Sequence, residues 1–417
     1  MRKYVGPSRI EGEAEAPPSK SLMLRAVAAA VLTEGLAVTI RNPSFCADAE
    51  AALGIAAVLG ADVRRGPGAV VIAAGAHPSG KTLFCGESGL CLRLFAAVAA
   101  LRPEEFVLDG RGTLMSRPVS MIEGPLRDLG ARCETRNGLA PVLVRGPLLG
   151  GRTVVDGALS SQFLTGLLIA LPRARGDSEV VVPELKSRAY VEMTLDLIRR
   201  AGVEIEGEAP GVFRIRGGQA YDNAAYTVEG DWSGAAFLLV AGALAGEVRL
   251  LGLNPESLQA DRAVCEALER CGAGVSVTGS TVEARSRDLR AFAMDLTDSP
   301  DLFPPLAALA CFCPGTTRLV GIDRLRYKES DRAAVLQAEF GRLGADIRLE
   351  GNTMAVRGGP LAGGTADPRG DHRMAMALAV AGLRAGKEVV IEKAECVDKS
   401  YPRFFEDLAA VGGRIHE

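Results

Sequence analysis

The sequence predicts an α/β protein of six related units, and three phased series of residues predict it. In the first series a helical pattern ends on glycine and passes into a short strand. It reads Leu59-Gly60-Ala61-Asp62-Val63, Leu129-Gly130-Ala131-Arg132-Cys133, Ala201-Gly202-Val203-Glu204-Ile205, Cys271-Gly272-Ala273-Gly274-Val275, Leu343-Gly344-Ala345-Asp346-Ile347 and Val411-Gly412-Gly413-Arg414-Ile415. These glycines recur about every 70 residues, the kind of self-similarity that marks an internal repeat. In the second series, polar or glycine-rich turns near Lys20, Gly89, Ser161, Trp232, Asp301 and His372 open Ala/Leu-rich runs. In the third, a further helix opens near Asp48, Arg117, Arg188, Asp261, Lys328 and Lys399.

Each element has a physical warrant. A glycine just past a helix suits the left-handed C′ position, where a side chain costs energy. The alternation that follows it reads as a half-buried strand. The runs Leu22–Leu32, Leu90–Leu101 and Met374–Leu383, like the one after Ser161, are apolar nearly all round. Such helices belong inside a domain and not on its surface. One unit has too little apolar surface to fold alone, so units must pack together, and six divide into two groups of three. A length of 417 residues also points to more than one core.

Composition narrows the function classes. Hydrophobic content of 48% and charged content of 24% describe a globular chain. A net charge of −3 gives no global field for nucleic acid or an anionic membrane surface. Residues 1–20 lack the apolar core of a signal peptide. The stretches Leu164–Leu171 and Ala375–Leu383 fall short of the roughly 20 residues of a membrane span. The nine cysteines are odd in number, and only Cys311 and Cys313 are close together. With just His77, His372 and His416 available, no metal site is expected, and the thiols read as buried and reduced in a cytoplasmic protein.

Reactive side chains collect at the helix openings. They read Pro18-Ser19-Lys20-Ser21-Leu22-Met23-Leu24-Arg25, Gly86-Glu87-Ser88-Gly89-Leu90-Cys91-Leu92-Arg93 and Ser160-Ser161-Gln162-Phe163 in the first half. In the second half they read Ser299-Pro300-Asp301, Lys328-Glu329-Ser330-Asp331-Arg332, Asp371-His372-Arg373-Met374 and Lys399-Ser400-Tyr401-Pro402. A helix N-terminus offers free N–H groups and a partial positive charge to an anion. Lysine and arginine there oppose the dipole unless an anion is bound, so the pattern points to a polyanionic ligand. Taken singly, each residue has an ordinary use: a solvated charge, a serine cap, a core histidine. Their recurrence at equivalent points of a repeat sets them apart.

At these residues the chain resembles the EPSP synthases of the enolpyruvyl transferase family. Ser19-Lys20-Ser21 with Arg25, Arg117-Pro118, Ser160-Ser161-Gln162-Phe163, Lys328 to Arg332, Asp371 to Met376 and Lys399 to Pro402 stand in that family's order. The resemblance implies two similar domains of three βαβαββ repeats, an inside-out α/β barrel with helices inside and sheets outside. Residues 1–18 and 231–417 would form one domain and residues 19–230 the other, with the active site in the interdomain cleft. It implies transfer of the enolpyruvyl group of phosphoenolpyruvate to the 5-hydroxyl of shikimate 3-phosphate, without a cofactor or metal, by a monomer. Glyphosate would occupy the phosphoenolpyruvate subsite.

The same resemblance assigns roles. Lys20, Ser21, Arg25, Ser160, Ser161, Gln162 and Ser187 would bind shikimate 3-phosphate, with Tyr190 near its ring and Asp301 and Lys328 on its hydroxyls. Lys20, Gly89, Arg93, Arg117, Gln162, Arg332, Arg373 and Lys399 would surround phosphoenolpyruvate. Asp301 would take the hydroxyl proton, Glu329 would move a proton to and from the methylene carbon, and Lys20 would assist. His372 would orient Glu329. The chain departs from the family pattern at Glu87-Ser88, where Asn-Ala is common, and at Pro18, Leu94 and Arg324. A UDP-N-acetylglucosamine enolpyruvyl transferase would carry a cysteine near Arg117, and Gly110–Ser120 has none. A non-catalytic anion-binding repeat scaffold is opposed by Asp301 and Glu329, because buried carboxylates weaken a pure anion site. A nucleic-acid-binding repeat protein fits neither the net charge nor the single Trp.

Overall fold

Helices form where the Ala/Leu-rich runs place them. The computed structural model describes residues 1–157, 161–207 and 211–417. In the unit Lys20–Val228 the helices are α1 (Lys20–Leu32), α2 (Ala47–Val58), α3 (Gly89–Ala99), α4 (Glu123–Asp128), α5 (Ser161–Ala170) and α6 (Arg188–Arg199). The second unit comprises Met1–Ser19 and Glu229–Glu417. Its helices are α7 (Trp232–Ala245), α8 (Val264–Arg270), α9 (Phe303–Ala310), α10 (Arg332–Arg342), α11 (His372–Gly382) and α12 (Phe404–Ala410).

The first helix of every repeat is an inner helix. Helices α1, α3 and α5 pack on one another in one unit, and α7, α9 and α11 do so in the other. Every residue of α3, α7, α9 and α11 is buried, small residues such as Ala96, Ala97, Gly234 and Ala308 among them. Small side chains let helix axes approach closely, and full burial explains why these runs lack a polar face. Each unit has its own apolar core around its three inner helices.

Among the described residues six four-stranded sheets accompany the inner helices, and all share one plan: a parallel pair followed by two antiparallel neighbours. In the repeat Thr82–Arg145 the chain order is strand Thr82–Phe84, α3, strand Glu105–Asp109, α4, strand Arg132–Arg136 and strand Leu139–Arg145. This is βαβαββ. Alternate residues of Ala69–Ala73 and Leu139–Arg145 are buried, so one face of each sheet meets the helices. Three sheets take a strand from a distant part of the chain, one of them by pairing Ile10–Glu15 in parallel with Gly246–Leu251. Ala225–Thr227 pairs in parallel with Ala37–Arg41, and Lys3–Gly6 lies between Val389–Ile391 and Arg414–His416.

The repeat glycines do what their spacing predicts. All six have φ between +75° and +103°. After α2, Gly60 N–H donates to Ala57 O and Ala61 N–H to Ala56 O, both at 3.0 Å. This paired pattern is a Schellman cap, and it recurs at Gly130, Gly202, Gly272, Gly344 and Gly412.

The third series is shifted in part. Helices α2 and α6 open where expected, near Asp48 and Arg188. Arg117, Asp261, Lys328 and Lys399 instead lie in or just after 3-10 turns, and the α-helices begin later, at Glu123, Val264, Arg332 and Phe404. Pro118 and Pro402 account for two of the delays, because the residue before a proline is driven out of the helical region. These four side chains are therefore carried on turns, where the helix dipole does not act on them as first-turn residues.

Candidate active site

In the unit Lys20–Val228, three clusters form around the openings of α1, α3 and α5. Lys20, the first residue of α1, places Nζ 3.2 Å from Oδ2 of the buried Asp48 in α2. One helical turn on, Arg25 is 2% exposed. Its Nε donates to Thr194 Oγ1 (2.9 Å), Nη1 to Ser21 O (2.8 Å), and Nη2 to Thr165 Oγ1 (3.3 Å) and Tyr190 O (3.1 Å). No carboxylate among the described residues forms an ion pair with it. Burial pushes the Arg25 guanidinium down to about 10, with Tyr190 opposing, and leaves it charged at neutral pH. A buried cation held only by neutral acceptors has room in its charge balance for an anion.

The second cluster lies at Gly89. Arg93, in the next turn of α3, donates from Nη1 to Gly89 O (3.2 Å) and Gln162 Oε1 (3.0 Å), and from Nη2 to Pro118 O (2.8 Å). A Cβ on Gly89 would fall 2.5 Å from Arg117 Nη1 and 2.6 Å from Arg93 Nη1. Two guanidiniums are thus gathered against a backbone that cannot carry a side chain without moving them. Glu87 sits beside this turn, but its Oε2 accepts from Thr113 N (3.2 Å) and Oγ1 (3.0 Å) in the 3-10 turn before Arg117. The carboxylate that departs from the family pattern therefore ties down the segment leading to Arg117. In the third cluster Ser161 and Gln162 open α5, and Ser187, in the left-handed region at φ 53°, precedes α6 and Tyr190. Ser160 lies outside the described residues.

In the second unit the charges close on one guanidinium. Arg332, the first residue of α10, is 1% exposed. It donates from Nη1 to Asp301 Oδ1 (2.6 Å), from Nη2 to Glu329 Oε2 (2.7 Å) and from Nε to Asp371 Oδ2 (2.7 Å). Arg373 Nη2 donates to Asp301 Oδ2 (3.0 Å), Lys328 Nζ lies 3.5 Å from Asp301 Oδ1, and Lys399 Nζ lies 3.7 Å from Glu329 Oε1. Burial alone would raise the Asp301 carboxyl, but Arg373, Lys328 and Arg332 outweigh it and hold it well below the usual carboxylate range. Burial pushes Lys328 down to about 8 against the pull of Asp301. His372 is buried, with Nδ1 3.7 Å from Asp371 Oδ1.

Asp301, Lys328, Glu329, Arg332, Arg373 and Lys399 thus form one cluster in this unit. Among residues without a role in the sequence reading, Asp371 stands out. It caps α11 by accepting from Arg373 N (3.0 Å) and takes Ser330 Oγ (3.2 Å) as well as Arg332. The signal was present: aspartate directly before an apolar helical run is a cap candidate. Asp48 and the threonines around Arg25 carried no such signal, since their partners are remote in sequence. Among the described residues no group of three or more His, Cys, Asp or Glu is arranged to hold a metal ion, and no helix is long and apolar enough to cross a membrane.

Comparison with known proteins agrees across the whole chain. The profile of the family described as EPSP synthase (3-phosphoshikimate 1-carboxyvinyltransferase) matches residues 5–408. A 3-phosphoshikimate 1-carboxyvinyltransferase of Aeropyrum pernix is 42% identical over 415 residues, covering 99% of this chain and 96% of that protein. One from Halobacterium salinarum is 40% identical over 428 residues, covering 99% of each. Among solved structures, the EPSP synthase of Acinetobacter baumannii matches with a TM-score of 0.83 at 26% identity, covering 100% of both chains.

Proposed function

The chain belongs to the EPSP synthase family, and from that premise we propose that it transfers the enolpyruvyl group of phosphoenolpyruvate to the 5-hydroxyl of shikimate 3-phosphate. The observation that carries the reading at the site is the pair Asp301 and Glu329, held at 2.6 and 2.7 Å by one buried guanidinium. A site that only bound anions would be weakened by two such carboxylates. A proton-moving site needs them.

The chemistry has two steps. The 5-hydroxyl oxygen adds to C2 of phosphoenolpyruvate, while Asp301 takes the hydroxyl proton and Glu329 delivers one to the methylene carbon, which becomes a methyl. Loss of phosphate then restores the double bond as Glu329 takes a proton back. Asp301 is a weak base while Arg373, Lys328 and Arg332 hold it. The carboxylate and phosphate of phosphoenolpyruvate compete for Arg332, Arg373 and Lys399, so binding this substrate frees Asp301 to accept a proton. Lys20, Gly89, Arg93, Arg117 and Gln162 serve the same substrate. Arg25, Ser21, Ser160, Ser161, Ser187 and Tyr190 serve shikimate 3-phosphate, whose phosphate supplies the anion that Arg25 lacks. Lys20 and Gln162 serve both substrates, as Asp301 and Lys328 serve the hydroxyls. We take the protein to act as a cytoplasmic monomer.

Phosphate release with each acceptor tests the reading. Release is expected with phosphoenolpyruvate and shikimate 3-phosphate together. Release only with UDP-N-acetylglucosamine, or with neither acceptor, would overturn it.

Two further results are expected. Gly89→Ala drives a Cβ into the guanidiniums of Arg117 and Arg93. Those are flexible ends that can move, so the fold survives while a charge-assisted contact is lost. The KM for phosphoenolpyruvate should rise about 10- to 100-fold, matching the roughly 1.5–3 kcal/mol of such a hydrogen bond. A lower melting temperature with unchanged KM would mean that Gly89 matters to the turn alone. The second result concerns pH. Lys328 is protonated below about 8 and neutral above it. Since kcat/KM reports the free enzyme, its value for shikimate 3-phosphate should fall above that pH. Lys328→Arg should remove the fall, and a native profile flat to pH 9.5 would sever Lys328 from this acceptor.

A further inference from the structure

We propose that Glu339 is a positioning residue for the reaction, holding the loop 367–371 and the turn Ala394–Lys399 so that Arg332, Arg373 and Lys399 keep their places. The inference rests on the assignment of those three cations to phosphoenolpyruvate. Glu339 lies two turns along α10 from Arg332, and both are 1% exposed. A buried glutamate is costly unless its oxygens are filled. Glu339 Oε1 accepts from Arg369 Nε (3.2 Å) and Nη2 (3.0 Å), and Oε2 accepts from Asp367 N (3.0 Å) with Arg342 Nε at 3.6 Å. The arginines reach down from the surface, since Arg369 and Arg342 are more than half exposed.

Helix α10 therefore grips one short loop at two points with opposite charges. At its start Arg332 holds Asp371, and near its end Glu339 holds Asp367 and Arg369. The loop is strained where it is held: Arg369, a non-glycine residue, has φ 56°. Asp367 extends the lattice, accepting Arg369 N on Oδ1 (2.8 Å) and Lys393 Nζ on Oδ2 (2.9 Å). Lys393, with φ 50°, begins the turn that ends at Lys399. Left-handed non-glycine residues cost of order 1–3 kcal/mol each and persist only where neighbours fix them. When a substrate anion draws Arg332 away from Asp371, the Glu339 end of α10 still holds the loop. Asp371 then stays in place as the cap that orients Arg373.

The test uses Glu339→Gln and, because a buried amide can impair folding, Arg369→Ala at the exposed partner. However the Gln amide turns, its NH2 faces donors. Both folded variants should raise the KM for phosphoenolpyruvate, Glu339→Gln by about tenfold, below the roughly hundredfold that a 1 Å misplacement costs. The KM for shikimate 3-phosphate should stay within twofold. In protein labelled with ¹⁵N-arginine and without substrate, the Nε signals of Arg332 and Arg373 should shift in both variants. Lower melting temperatures with unmoved Nε signals and a phosphoenolpyruvate KM within twofold would leave Glu339 a stabilising residue only and overturn the proposal. The native protein is assayed alongside. Its failure to release phosphate would count against the reaction, while the Nε signals would still decide the positioning role.

Discussion

Glu329→Gln is expected to abolish nearly all turnover while leaving shikimate 3-phosphate binding within a few-fold of native. The amide keeps the size of the side chain and can still accept from Arg332 Nη2, which lies 2.7 Å from Glu329 Oε2. What it loses is the ability to give a proton to carbon and take one back. Losing a general acid–base costs about 10²–10⁴ in rate, and the loss should fall on kcat because the proton moves in the transition state and not on binding. Native protein in D₂O should place deuterium on the product methylene, since the transient methyl can lose any of its three hydrogens. Near-normal turnover by the variant, with deuterium still entering, would assign the proton transfer to another residue.

Arg332→Met is expected to give the largest loss of stability. The substitution is close to neutral in volume, but it strips a guanidinium from Asp301, Glu329 and Asp371 at once. Breaking a buried ion pair by removing one partner costs about 3–5 kcal/mol. For a domain of 150–250 residues at roughly 2–4 °C per kcal/mol, the melting temperature should fall by about 6–20 °C. The pH dependence should also weaken. In the native protein Asp301 is held below its unfolded value, so it contributes stability that is present above about pH 4 and lost as pH falls through the folded value. In the variant Arg373 and Lys328 still face Asp301, so its carboxyl is held down less firmly than in the native protein. Less of the stability that Asp301 contributes above about pH 4 is then present, and less is lost on acidification. Arg332→Met should therefore sit nearest to native in acid. A deficit that does not shrink on acidification would show that the three carboxylates are satisfied by their other neighbours.

The sequence was most legible where one residue type has one physical use. Glycine past a helix end can take the left-handed conformation, and all six repeat glycines do so with the same pair of hydrogen bonds. Helices apolar on every face are buried, as α3 and α11 show. The helices expected to open near Arg117, Asp261, Lys328 and Lys399 begin later, because a short 3-10 segment has no periodicity of its own to detect. At the site, the cluster of charges was anticipated, but not its wiring. Arg332 was read as a cation awaiting a ligand, whereas three carboxylates already occupy its donors. Partners such as Lys20 with Asp48, and Arg25 with Thr165 and Thr194, are joined by the fold and not by spacing. A local pattern carries no trace of them.

The borrowed strands have a bearing on how this chain matures during synthesis. The unit Lys20–Val228 is contiguous, so every strand it needs has left the ribosome once Ala225–Thr227 has emerged to pair with Ala37–Arg41. The other unit is split around it, and its last sheet needs Lys3–Gly6 to slot between Val389–Ile391 and Arg414–His416. The strand Lys3–Gly6 is thus made long before its partners. Val5, buried once the sheet forms, has no partner strand until residues 389–416 have been made. Closing so long a loop is slow more than it is costly, because the entropy of closure grows only with the logarithm of length. One half of the protein can therefore stand folded on the ribosome while the half that carries Asp301, Glu329 and Arg332 is still unfinished chain.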